Sequence, residues 1–353
     1  MRKISDGCSI TLDFVRAISS QLVVIGHGIS FCALSTFFRP PNSPWMQNIA
    51  VVIFFILSGF LITYSLFSKI SKSEYFFGKY FVDRFSRIYA AFIPALIFVA
   101  LLDYISIKVG SEGYRYFSAF NIKTFIGNIL LLNDFPNFKI VTSFGSGRPF
   151  WTLAVEWWIY MFVGYLFFLF KRKRISLFNI LFLCFLSIIP IYNIVGGRGN
   201  GLTLYWLFGS LVLFVWNSNI VKTISRKYIF GFASFFSILS VLRVYKTKIE
   251  YDPSFAFLLA FGLLFFAEFF DKTKFNEFVK RSIRFVANYS YTLYLIHYSV
   301  YDFLITHYGK GLRIFLIGFF VSNFISYFFG ILFEVKLTKK VKKTLYVLMD
   351  YKY

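Results

Sequence analysis

The chain has 353 residues, 58% of them hydrophobic and only 15% charged. That balance excludes a soluble domain of this size and points to repeated crossing of a bilayer, which takes runs of about 20 apolar residues. The net charge of +22 would suggest nucleic acid in a soluble protein; here no zinc finger, RNA-binding signature or basic repeat accompanies it. The simpler source is Lys and Arg retained in cytoplasmic loops, so membrane lipids are expected as partners and nucleic acid is not.

In chain order, apolar runs fall at about 12–32, 45–67, 86–107, 150–170, 175–195, 202–216, 228–245, 254–270, 285–306 and 311–334. The expected fold class is therefore an all-α polytopic membrane protein of about ten transmembrane helices. With the N-terminus inside and each run crossing once, the inside segments hold about two-thirds of the 38 Lys and Arg residues. This matches the positive-inside rule and favours an N-in, C-in arrangement. Arg2 and Lys3 before an apolar stretch resemble a signal peptide, but Asp13 and Arg16 interrupt the run and no clear cleavage site follows, so the first span is read as uncleaved.

One apolar run, FIGNILLLNDF at 125–135, is too short to cross. A crossing there would also put the basic run 171–174 outside, so a re-entrant or interfacial segment is expected. SEYFFGKYFVDR, 73–84, has the pattern of an amphipathic cytoplasmic helix leading into the third span. The expected organisation is one membrane domain over 1–334 and a basic cytoplasmic tail over 335–353. Cys8, Cys32 and Cys184 have no paired spacing and no His neighbours, so neither a metal site nor a disulfide framework is expected.

The first span, DFVRAISSQLVVIGH, carries charge where hydrocarbon should be. At 100° per residue, Asp13, Arg16, Ser20 and His27 fall within a sector of about 60°, and Arg16 and His27 are about 16 Å apart along the axis. Intramembrane charges face a cavity or a partner. An Asp13–Arg16 pair locking helices, with His27 hydrogen-bonded in the bundle, would explain them; the shared stripe favours a face that lines a cavity. In the fourth span Thr152, Glu156 and Tyr160 share a face, with Glu156 at a depth similar to that of His27; a carboxylate there could orient the histidine or pair with a Lys or Arg elsewhere. In the ninth, Ser290, Tyr294, His297 and Tyr301 form a stripe that equally suits a histidine satisfied by neighbouring tyrosines. Arg84 and Arg87 lie at the cytoplasmic start of the third span, where guanidinium forks suit phosphates or lipid headgroups. Ser58–Gly59 in the second span suits close helix packing.

Together these segments resemble the bacterial membrane acyltransferase-3 family, the O-acetyltransferases of surface polysaccharides. LDFVRAISSQLVVIGH is similar to its first-span R-x10-H motif, FFILSGFLIT to its second-span signature, and DRFSRIYAAFIPAL to its R-x-x-R motif. FWTLAVEWWIY resembles its W-[ST]-L-x-x-E block, through Trp151 and Glu156, and SYTLYLIHYSV its late S-Y-x-x-Y-x-x-H block, ending at His297. Any one motif is weak; five in order, over residues 10 to about 334, are specific. Ala90 stands where the family often has proline, a departure that removes no chemical group. The short basic tail suggests the stand-alone form, without a fused hydrolase-like domain.

The resemblance implies a multi-pass protein of the bacterial cytoplasmic membrane. Its activity would be transfer of acetyl from acetyl-CoA to a hydroxyl of O-antigen, capsule or exopolysaccharide, or of a lipid-linked precursor. His27 and Glu156 would be catalytic, with His27 as general base or acyl carrier. Arg16, Arg84 and Arg87 would bind the CoA donor, and Ser58, Trp151, Tyr294 and His297 are candidates for the acceptor or the oxyanion. No metal is implied. The rival readings are a transporter or flippase of a glycan or lipid-linked sugar, for which no paired, broken-helix halves are seen, and a structural or lipid-binding subunit.

Overall fold

The computed structural model describes residues 2–70, 74–110, 113–133, 141–171 and 174–351. In chain order the helices are α1 (Asp6–Phe31), α2 (Met46–Ile70), α3 (Phe77–Lys108), α4 (Ile122–Ile129), α5 (Phe150–Phe170), α6 (Leu177–Val195) and α7 (Leu202–Asn217). They continue with α8 (Asn219–Thr223), α9 (Arg226–Thr247), α10 (Pro253–Phe269), α11 (Glu277–Ala287), α12 (Ser290–Tyr308), α13 (Leu312–Phe329) and α14 (Thr338–Leu348). A π-helical stretch, Gly330–Leu337, joins α13 to α14.

Each of the ten expected spans overlaps a helix, though the ninth, 285–306, takes in the end of α11 and the turn at 288–289 before α12 begins at Ser290. Among the described residues, seven helical segments are long and apolar enough to cross a membrane, and α7 and α10 are shorter apolar helices. The polar residues of α12 set it apart from these. The protein is an all-α polytopic membrane protein. The third span starts earlier than its apolar run: the amphipathic lead and the span are one helix, α3, with Pro94 inside it. Residue 73 of that lead lies outside the described residues, as do 134–135 of the short apolar run and 172–173 of the basic run. Among the described residues, the 125–135 run folds as the eight-residue α4, started by an Asn121–Thr124 capping box. Eight residues span about 12 Å, far short of the hydrocarbon core. The chain of the basic tail stays helical, as α14.

The chain divides into two compact units. The first comprises residues 1–26, 36–71 and 199–287. In it α2 packs on α7, and α10 packs on α9, α7 and α2. The α2–α7 approach depends on two glycines: a Cβ on Gly59 would fall on the Trp206 carbonyl, and one on Gly209 on the Ile56 carbonyl. Thr63 and Ser210 hydrogen-bond across the same pair at 2.7 Å. At one end, Arg2 reaches Glu268 at 2.8 Å and Asp271 at 2.6 Å and lies over the Trp216 ring.

The second unit comprises residues 27–35, 72–198 and 288–353. In it α12 packs on α3 and α13, α5 on α6 and α3, and α14 with the π-helical stretch on α3. Tyr75, Tyr346 and Lys342 all converge on the buried carboxylate of Asp83, at 3.0, 3.2 and 2.8 Å, which fixes α14 to the start of α3. The α3–α5 connection is anchored by a second buried carboxylate: Asp103 accepts from the Ser146 amide at 2.8 Å.

Candidate active site

The second unit holds seven of the expected site residues: His27, Arg84, Arg87, Trp151, Glu156, Tyr294 and His297. Its centre is a pair of histidines. His27, near the C-terminal end of α1, and His297, in the middle of α12, approach Nδ1 to Nε2 at 3.0 Å. His297 is 0% exposed, whereas His27 keeps accessible surface. The other nitrogen of His297, Nδ1, lies 2.9 Å from the Leu293 carbonyl.

A carbonyl oxygen can only accept, so His297 Nδ1 carries the proton. In the neutral ring its Nε2 is then the acceptor, and His27 Nδ1 must be the donor. The same logic leaves Nε2 of a neutral His27 as its basic nitrogen. The buried ring thus sets the tautomer of the accessible one.

Around the pair stand hydroxyls and aromatic faces. Tyr294 lies 6.1 Å from His297, centroid to centroid, and shares a hydrogen bond with Thr152 at 2.7 Å. Tyr298 meets the His27 ring edge-on at 5.2 Å, and its hydroxyl bonds that of Tyr116 at 3.0 Å. Burial and the neighbouring Tyr298 push the Tyr116 phenol well above the usual tyrosine range, so it stays protonated.

Glu156 occupies a distinctive place on α5. Residues 150–161 are all buried except Glu156, which keeps accessible surface. Its Oε1 accepts from the Tyr160 hydroxyl at 2.5 Å, so the expected Thr152–Glu156–Tyr160 face is real. Trp151 is 6% exposed and is covered by the Arg198 guanidinium, 4.8 Å from its ring centroid.

The arginine pair at the start of α3 divides its tasks. Arg84 lies 5.8 Å from the Tyr80 ring and forms no ion pair among the described residues; its buried Nε has no hydrogen-bond partner. Arg87 pairs with Glu334 at 3.8 Å. Glu334 sits in the π-helical stretch with 1% of its side chain exposed and also accepts from the Thr292 amide and hydroxyl, at 2.6 and 2.7 Å. This carboxylate caps the N-terminal turn of α12, the helix that bears His297, and holds Arg87 at the same time. π-Helical insertions often mark functional sites.

Arg16 and Ser58 belong to the first unit. Arg16 pairs with Asp13 at 2.9 Å and lines a cavity of about 70 Å³ with Ile4, Ser9, Leu12, Leu57 and Leu61. The pair lies within α1 and so locks no helices together, and of the stripe only Asp13 and Arg16 line this cavity. Ser58 accepts from the Trp206 indole at 3.1 Å, beside the Gly59–Gly209 crossing, and the close-packing reading fits it.

Sequence reasoning missed the pairing of the two histidines, along with Glu334, Tyr298 and Tyr116. One signal was available: His27 and His297 both lie in the outer halves of their spans under the charge-based topology.

An accessible histidine hydrogen-bonded to a buried one is thus set in a polytopic helical membrane protein. The acyltransferase-3 family model, described as an acyltransferase domain, matches residues 10–335. The chain belongs to that family and is a membrane acyltransferase. No curated protein and no solved structure showed a significant match.

Proposed function

We propose that the protein transfers acetyl from acetyl-CoA to a hydroxyl of a bacterial cell-surface polysaccharide, or of its lipid-linked precursor, in the cytoplasmic membrane. The observation that carries this reading is the His27–His297 pair, in which the accessible ring presents a basic nitrogen and the buried ring orients it.

His27 Nε2 takes the proton of the sugar hydroxyl as its oxygen attacks the thioester carbonyl. The tetrahedral intermediate collapses with loss of the CoA thiolate, which recovers the proton from His27. As His27 becomes cationic, its Nδ1–H remains bonded to neutral His297. Tyr294 and Tyr298, half-buried residues beside the pair, would donate their hydroxyl protons to the developing oxyanion. Glu156 supplies negative charge that either stabilises the His27 imidazolium or binds the acceptor. Arg84 and Arg87 suit the phosphates of the donor on the cytoplasmic side, Arg84 with charge uncommitted to any carboxylate among the described residues. Arg16, neutralised by Asp13, is assigned to shaping the first helix rather than to the chemistry.

The test is mass spectrometry of surface polysaccharide from cells with the intact gene, without it, and with a His27→Ala allele. The reading requires one acetyl increment to disappear in the last two. An unchanged glycan mass, with lipid-linked sugar accumulating on one side of the membrane, would replace the enzyme with a flippase.

A further inference from the structure

Two lines of contact lead away from the histidine pair, and each ends at a guanidinium. The first runs from the His27 ring to Tyr298 and, through the shared hydroxyl bond, to Tyr116. Over the Tyr116 ring lie Arg115, at 5.7 Å, and Arg148, at 6.0 Å. Arg115 is committed to the buried Asp302 at 2.9 Å. Arg148 is half-buried and forms no ion pair among the described residues. The second line runs from His297 to the neighbouring Tyr294, whose hydroxyl bonds that of Thr152, the residue next to Trp151. Arg198 covers Trp151, three residues beyond Arg148 at the start of α5.

Both arginines therefore sit on aromatic faces at the edge of the site. They lie on the side that the charge count places outside the membrane, opposite the Arg84–Arg87 end of α3. A cation on a ring face keeps its attraction for an anion, and its fork pairs with carboxylate or phosphate. A neutral hexose would need neither arginine: aromatic rings and hydroxyls would hold it.

We propose that the acyl acceptor is an anionic glycan, whose carboxylate or phosphate is held by Arg148 and Arg198 while the sugar bearing the reactive hydroxyl lies along Tyr116 and Tyr298 toward His27. The proposal rests on the acyl-transfer reading above and adds the charge of the acceptor to it. The anion has two chemical sources, an acidic sugar within the repeating unit or the phosphate of a lipid-linked unit.

The experiment uses the full-length protein in detergent with radiolabelled acetyl-CoA. The acceptor is the total glycan fraction, polymer and lipid-linked units together, from cells lacking the gene. It is supplied native, carboxyl-reduced and phosphatase-treated. We expect label in the native fraction and a loss of tenfold or more after one of the two treatments, which identifies the source of the anion. Arg148→Gln and Arg198→Gln should each raise the acceptor KM by about tenfold, the scale of one charge-assisted hydrogen bond, and leave the acetyl-CoA KM unchanged. Arg148→Lys and Arg198→Lys, which keep the charge but not the fork, should fall between Gln and wild type and provide a folded comparison. Equal labelling of all three fractions, or unchanged acceptor KM in both Gln variants, overturns the proposal. A wild-type protein that labels none of the fractions removes the acyl-transfer reading, and the anionic acceptor with it.

Discussion

His27 and His297 meet ring to ring, and the Leu293 carbonyl on the far side of His297 decides which nitrogen carries each proton. His297 is wholly buried and His27 is not, so the two have different tasks: one positions, the other meets substrate.

Removing His297 should therefore lower turnover without weakening donor binding. His297→Ala leaves the His27 Nδ1–H without its acceptor and the ring without the partner that orients it, a loss of about 0.5–1.5 kcal/mol for one hydrogen bond. We expect kcat to fall tenfold or more with the acetyl-CoA KM within twofold of wild type. In a double-mutant cycle with His27→Ala the two losses should be strongly non-additive, because His297 acts through His27. Steady-state kinetics on the four proteins checks this; additive losses would show that His297 works independently.

Glu334 ties Arg87 to the N-terminal turn of α12. Glu334→Ala removes acceptors from a buried amide and a buried hydroxyl, at a cost of about 1–3 kcal/mol per orphaned group. We expect a lower melting temperature together with a raised acetyl-CoA KM as Arg87 loses its anchor. Glu334→Gln, still an acceptor, should recover most of the stability and little of the Arg87 positioning. Thermal unfolding and donor KM, measured on both variants, separate the two effects.

Ser58 and Gly59 lie next to each other in the sequence and should respond differently. Ser58→Ala loses one hydrogen bond from Trp206 and should leave kcat within about twofold if its role is packing. Gly59→Val has no room against the α7 backbone and should destabilise the protein by several times as much, on the scale of about 1–3 kcal/mol for overpacking. Activity and melting temperature of the two variants, side by side, decide this; a large kcat loss in a stable Ser58→Ala protein would restore Ser58 as an oxyanion donor.

Most of the architecture was legible in the sequence because hydrocarbon demands long apolar runs, and each of the ten runs marked a helix. The amphipathic period of 73–84 marked a helix leading into the third span, and the structure joins lead and span into the single helix α3. α4 was recognisable as non-crossing from length alone. The site was legible residue by residue but not in its pairings. His27 and His297 are separated by 270 positions, and helical geometry gives a residue's depth and face but not the helix it meets. Glu334 was hidden for another reason: in GILFEVKL it reads as the polar end of a span, and only the π-helical turn brings it under Thr292 and Arg87.

The most direct test of the central assignment is the single-turnover rate of acetyl transfer from labelled acetyl-CoA to the glycan fraction, wild type against His27→Ala, with melting temperatures to confirm that both are folded. General-base assistance is worth about 10²–10⁴ in rate, so the variant should lose at least two orders of magnitude while still binding acetyl-CoA. A folded His27→Ala protein that transfers acetyl at the wild-type rate would contradict the assignment of His27 as the catalytic base.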